Sequence, residues 1–148
     1  PDAVVLAAAG VGNHDNIGGL FRNAAAFGAG AVVLDDRCAD PFYRKAIRVS
    51  VGAVLRTPCP APVPLDRTID ALAAAGFEIV ALTPGATEPL SGLAPGGRRA
   101  LLVGSEGPGL PPAVIARCRP VAIPMSGGFD SLNVATAAAV ALHQLTRA

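Results

Sequence analysis

The sequence predicts an α/β fold: a parallel sheet with helices on both faces. Three observations carry that expectation. Apolar runs such as "AVVLAAA" (3–9), "AVVLDD" (31–36) and "RALLVG" (99–104) are near-continuous, as strands buried on both faces are. Segments of helical character separate them, the pattern of a sheet built by strand–helix alternation. The chain has 148 residues, 51% of them hydrophobic and 16% charged, which suits one domain with a substantial core and argues against disorder.

Taken in order, residues 3–9 read as the first buried strand, followed by the polar, glycine-bearing "GVGNHDNIGG". A helix then carries "LFRNAAAFG", with Gly28 placed to end it. Residues 31–36 form the second strand, and "PFYRKAIRVS" (41–50) opens with proline at a first helical turn. "AVLRT" (53–57) reads as a third, short strand. The proline-rich "PCPAPVPLD" (58–66) is a connector too short for a domain boundary. Beyond it come a helix at 66–75, strands at 77–83, 99–104 and 120–125, and a short helix near 111–117. The final helix is 131–146, with Asp130 or Ser131 as its N-cap.

Composition excludes several functions. No window of about 20 uncharged apolar residues is present, so a membrane span is not expected, and no basic leader marks a signal peptide. Cys38, Cys59 and Cys118 are odd in number and widely spaced, which indicates neither a disulfide framework nor a zinc site and fits a reducing cytoplasm. The histidines, His14 and His143, have no acidic or cysteine cluster beside them, so no metal is expected. Net charge is +1, with Lys45 the only lysine, so no bulk field advertises nucleic acid. Arg44 and Arg48, one turn apart, suit a phosphate-contact face or a solvated helix face equally. A chain that starts at Pro1, without methionine, leaves room for an upstream domain outside it.

In open α/β sheets ligands sit at the carboxyl ends of strands, and the loops richest in glycine and polar residues all leave strand ends. In the first, "NHDNIGGLFRNAA" (13–25), Asn16 and Arg22 flank the start of a helix. They suit a phosphate clamp, or else a helix cap and a surface ion pair. In the second, "VGSEGPGLP" (103–111), Gly104, Gly107 and Gly109 let main chain approach a ligand closely, and Glu106 is the one carboxylate. The third, "IPMSGGFDSLN" (123–133), offers Ile123, Pro124 and Met125 as walls for an aromatic ring, then Ser131 and Asn133 as polar groups surplus to capping. None of the loops fits a dinucleotide or P-loop fingerprint.

Together and in this order, "NIGGLFRNA", "LLVGSEGPGLP" and "IPMSGGFDSLNVATAAAVAL" resemble the three motifs of the SpoU (TrmH-like) family of the SPOUT superfamily. These are RNA ribose 2′-O-methyltransferases that use S-adenosylmethionine. The resemblance spans most of the chain and implies a C-terminal trefoil knot, which topology rules alone would never suggest. It implies a cytoplasmic homodimer acting on tRNA or rRNA, with no metal. It further implies that the cofactor contacts Thr83 and the backbone at Gly104, Ile123 and Leu132, beside Met125. Arg22 would be the catalytic arginine. Free arginine stays protonated, so clamping phosphate and orienting the hydroxyl suit it better than acting as a base. Asn16, Glu106, Ser131 and Asn133 would position the hydroxyl, the RNA or the methionine moiety. His143 departs from the family pattern, which touches helix packing only. Many relatives carry an N-terminal RNA-binding domain, which this chain would lack. The competing readings are a non-catalytic RNA-binding scaffold of the same fold, and a nucleotide-binding oxidoreductase or hydrolase.

Overall fold

The computed structural model describes residues 1–105, 107–129 and 131–147. Five strands, β1 (Ala3–Ala9), β2 (Val32–Leu34), β3 (Glu78–Leu82), β4 (Arg98–Gly104) and β5 (Arg119–Val121), form one sheet in the order β2-β1-β4-β3-β5. Every neighbouring pair is parallel, with Ala3 to Ala9 of β1 in continuous register with Arg98 to Gly104 of β4. Parallel strands need crossovers. Helix α1 (His14–Ala26) joins β1 to β2, and α2 (Arg44–Val49) and α3 (Leu65–Ala74) lie between β2 and β3. The 3-10 turn Leu90–Gly92 lies between β3 and β4, α4 (Pro112–Ile115) lies between β4 and β5, and α5 (Val134–Thr146) follows β5.

Strand side chains alternate between faces, so each central strand feeds two cores. Leu6 and Ala8 of β1, with Leu101 and Val103 of β4, face the helices α1 and α5. Val5, Ala7 and Ala9, with Ala100 and Leu102, face α3 and α4. Helices therefore cover both faces, as expected. Helix α1 buries Ile17, Leu20, Phe21 and Ala24, a spacing that makes one apolar stripe. Gly18 lets α2 approach that helix, since a Cβ there would lie 2.6 Å from the Ala46 carbonyl oxygen and 2.8 Å from Val49 Cβ. Gly19 does the same toward α5, where a Cβ would meet Ala135 Cβ at 2.9 Å. Asn23 completes the α1–α5 contact, its Nδ2 donating to the Ala135 carbonyl at 2.7 Å.

Three local expectations are corrected. Residues 53–57 are not a strand: Ala53–Leu55 is a 3-10 turn, entered through Gly52 at φ 84° and closed by hydrogen bonds from Leu55 N and Arg56 N to Gly52 and Ala53. Pro41 does not open α2, which begins at Arg44 after a turn in which Phe42 N donates to the Asp40 carboxylate. The cap of α5 is Asn133, not Ser131, and Asp130 lies outside the described residues. Gly28, by contrast, follows the C-cap of α1 in the left-handed conformation, as placed. No helix among the described residues is long and apolar enough to cross a membrane.

Candidate active site

Because β3, β4 and β5 are neighbours, the loops leaving their carboxyl ends converge. A cavity of about 410 Å³ opens between them and the start of α5. Its size is within the range of small-molecule sites. Thr83 and Pro84 continue from β3, Gly104 and Ser105 from β4, and Ile123 and Met125 from β5. Ser131, Leu132 and Asn133 close it from the α5 side. Five residues expected at a cofactor, Thr83, Gly104, Ile123, Met125 and Leu132, are thus brought together with two expected polar ones, Ser131 and Asn133.

The walls are built locally. Thr83 N donates to the Val121 carbonyl at 2.9 Å, which extends the β3–β5 pairing past the strand end. The β4 loop folds back on itself, with Gly109 N donating to the Ser105 carbonyl at 3.1 Å and Gly107 and Gly109 both at positive φ. Gly104 is required by space: a Cβ on it would lie 2.8 Å from the Gly109 carbonyl carbon and 2.9 Å from Leu110 N. That cradle keeps main-chain polar groups at the cavity edge. Ser105 and Leu110 also line the cavity, although nothing in the loop's own sequence singles them out. Glu106 lies outside the described residues.

Asn133 joins this cavity to the first loop. Its Oδ1 accepts from Ala135 N at 2.9 Å and Thr136 N at 3.1 Å, which caps α5. Its Nδ2 donates to Asn16 Oδ1 at 2.9 Å. Asn16 does not cap α1; Asn13 does, accepting from Asn16 N at 3.1 Å. The half-buried Asn16 side chain is therefore free for the Asn133 bridge, and its Nδ2 has no hydrogen-bond partner among the described residues. The β1 loop is braced by buried Asp35, whose Oδ1 accepts from Gly10 N at 3.0 Å and Arg37 N at 3.1 Å.

Arg22 is not in this cavity. It is exposed on α1 and lines a second one, of about 560 Å³, with Ser50, Val51 and Arg56. His14 stacks on Tyr43 with ring centroids 4.3 Å apart, and His143 meets the edge of Phe27. No group of three or more His, Cys, Asp or Glu side chains among the described residues is arranged to hold a metal ion.

The sequence model of the SpoU rRNA Methylase family matches residues 3–143. An uncharacterized tRNA/rRNA methyltransferase of Mycobacterium bovis is 46% identical over 145 residues, covering 93% of this chain and 50% of that protein. The chain thus spans about half the length of the curated relatives it matches. Among solved structures, an AdoMet-bound rRNA methyltransferase from Sinorhizobium meliloti superposes with a TM-score of 0.90 at 28% identity, over 96% of this chain and 55% of that one. An RNA 2′-O ribose methyltransferase superposes with a TM-score of 0.89 at 32% identity, over 97% of this chain and 55% of that one. With the family match running nearly end to end, this chain belongs to the SpoU rRNA methylase family.

Proposed function

We propose that this chain transfers a methyl group from S-adenosylmethionine to a ribose 2′-hydroxyl of tRNA or rRNA. The observation that carries the reading is the cavity at the ends of β3, β4 and β5, which gathers every residue expected at the cofactor beside the Asn16–Asn133 bridge. The residues fit the group. The Gly104 cradle leaves main chain for the edge of a base, Ile123, Met125 and Leu132 supply apolar walls, and Thr83 and Ser131 supply hydroxyls. AdoMet-bound and 2′-O ribose methyltransferase structures of the same fold support the assignment.

S-adenosylmethionine supplies a methyl group already activated by its sulfonium. What remains for the protein is positioning, which general arguments rate at several kcal/mol of barrier. The hydroxyl proton passes to the RNA phosphate held by Arg22, or to water, as the O–C bond forms and the C–S bond breaks. Asn16 Nδ2 donates toward the ribose oxygen, held there because Asn133 occupies Asn16 Oδ1. Ser131, on the cavity wall, orients the methionine moiety. Arg22, away from the cavity, serves the RNA phosphate, and Glu106 and Asn133 complete the polar set.

The homodimer and the trefoil knot belong to the same proposal, as does a cytoplasmic place alongside the RNA. Leu132, Phe129 and Val140 are large apolar side chains exposed near the cavity and along α5, which supports a subunit contact there. Hydrogen bonds from Leu90 N to the Ala122 carbonyl (2.7 Å) and from Ala122 N to the Glu88 carbonyl (2.9 Å) lace the segment after β3 to the one after β5. They hold the two segments side by side.

Calorimetry with S-adenosylmethionine tests the cofactor reading first. Saturable binding that survives Arg22→Ala is expected, and a folded chain that binds none overturns it. Incubation with labelled cofactor and tRNA or rRNA, then nucleoside mass spectrometry, tests the position. Label on a base instead of a 2′-oxygen removes the ribose assignment.

A further inference from the structure

Eight of the eleven arginines fall into two groups, while Arg37, Arg67 and Arg147 are exposed elsewhere. Arg98, Arg99, Arg117 and Arg119, on or beside β4 and β5, each engage a carboxylate, a carbonyl or an aromatic ring. Arg22, Arg44, Arg48 and Arg56 are exposed on α1, α2 and the end of the 3-10 turn, and none has a partner among the described residues. Lys45 is neutralised by Asp15 at 3.3 Å, so the unpaired charge on this face is guanidinium.

Two of these arginines, Arg22 and Arg56, line the second cavity, and the turn between them is strained. Val51 has φ 49°, the one described non-glycine residue at positive φ, and Gly52 follows at φ 84°. A β-branched residue is a poor occupant of that region. The turn is nonetheless firmly held. Ser50 Oγ donates to the Ile47 carbonyl at 2.7 Å and accepts from Val54 N at 3.3 Å, while Gly52 N donates to the Ile47 carbonyl at 3.2 Å. The outcome is a Val51 side chain 61% exposed at the cavity, with Leu55 65% exposed close by in sequence. Core packing does not account for this: the strain sets an aliphatic side chain in water next to two unpaired guanidiniums.

Single-stranded RNA presents the complementary pair of features, a phosphate that guanidinium forks grip and a sugar or base face that apolar side chains cover. We infer that the cavity between α1 and the 3-10 turn is a phosphate pocket for the RNA, in which Arg56 joins Arg22 on one phosphodiester while Val51 and Leu55 pack against the neighbouring nucleoside. The inference rests on the RNA reading above and adds Arg56 and Val51 to it as positioning residues.

The test uses the 148-residue chain, a fluorescent 12-nucleotide oligouridylate, and binding titrations from 50 to 200 mM KCl. Arg56→Gln should weaken binding several-fold and lower the slope of log affinity against log salt by about 0.7, the value for one lost single-strand phosphate contact. Arg56→Lys should restore the slope, and S-adenosylmethionine binding should not change. Equal affinity and slope for wild type and Arg56→Gln overturns the inference, as does a wild-type chain that does not bind the oligonucleotide. A change in sedimentation mass with RNA binding intact also overturns it, and makes the cavity a subunit contact. Cofactor binding, measured in parallel, separates the two readings. Arg56-dependent RNA binding without cofactor binding keeps the pocket and removes methyl transfer, and the reverse removes the pocket alone.

Discussion

Asn133 and Asn16, 117 residues apart, meet side chain to side chain at 2.9 Å, and the geometry assigns both amides. Asn133 Oδ1 is committed to the backbone N–H groups of Ala135 and Thr136, so its Nδ2 must face Asn16, which in turn must present Oδ1. One side chain therefore starts α5 and sets the direction of a donor on α1.

Those two roles separate by substitution. Asn133→Ala removes the cap and should cost about 1 kcal/mol of stability. Asn133→Ser keeps a capping oxygen, so its stability should stay within a few tenths of a kcal/mol of wild type. Both should lose methyl transfer, because neither holds Asn16. Urea unfolding of the pair decides: a serine variant as unstable as the alanine variant would mean that the bridge, not the cap, supports the fold.

Gly104→Ala should damage fold and cofactor site together. The new methyl meets main-chain atoms at 2.8 and 2.9 Å, which cannot rotate away, so the 105–110 loop must move. Overpacking of this kind costs roughly 1–3 kcal/mol, and calorimetry should show S-adenosylmethionine binding weakened by on the order of tenfold or more, about 1.4 kcal/mol. Gly12→Ala is the control, since nothing lies within 4 Å of a Cβ there. If Gly104→Ala binds as wild type does, the loop is not the cofactor wall.

Much of this arrangement was legible in the chain itself. Uninterrupted apolar runs reveal strands buried on both faces, and the glycine and polar residues after "LLVG" mark the end of β4, whereas β5 stops at Val121, short of the strand expected over 120–125. What failed has physical causes. "AVLRT" is a short apolar run, and periodicity does not separate a buried strand from a buried helical turn at that length. The deciding features, Gly52 at φ 84° and the Ser50 hydroxyl accepting from Val54 N, involve residues before the run. The α5 cap is Asn133 where Asp130 or Ser131 was expected, and the same residue meets Asn16, a contact no local pattern contains. Arg22 and Asn16 share a helix, yet only the fold shows that Arg22 opens onto the other cavity.

Cys38 makes the stability pH-dependent on the alkaline side. Burial, aided by the nearby Asp35 charge, pushes its thiol up to about 12 from an ordinary 9.0, and backbone hydrogen bonding at Val11 and Asp35 offsets only part of that rise. With the folded value above the unfolded one, the native state keeps a proton that the unfolded chain releases. Its contribution is whole below about pH 9 and is lost as pH rises toward about 12. Urea midpoints at pH 7.5 and 10 should therefore fall more for wild type than for Cys38→Ala. Cys59 and Cys118 shift in the same direction by burial and leave a residual fall in the variant. Parallel falls in both proteins would remove Cys38 as the cause.

Val51 offers a test of strain independent of RNA. Its φ of 49° is unfavourable for a β-branched residue by about 1–2 kcal/mol, and its side chain is too exposed to recover that by burial. Asparagine tolerates the left-handed region and loses less freedom on folding than glycine would. Val51→Asn should thus raise stability by roughly 1 kcal/mol, or about 3 °C in melting temperature for a chain of this size. The Ser50 and Gly52 hydrogen bonds involve no Val51 side-chain atom and should survive the change. A stabilised variant that binds RNA less well would show that the strain is kept for binding. A destabilised one would show that Val51 packs against something in the folded protein, a second subunit included.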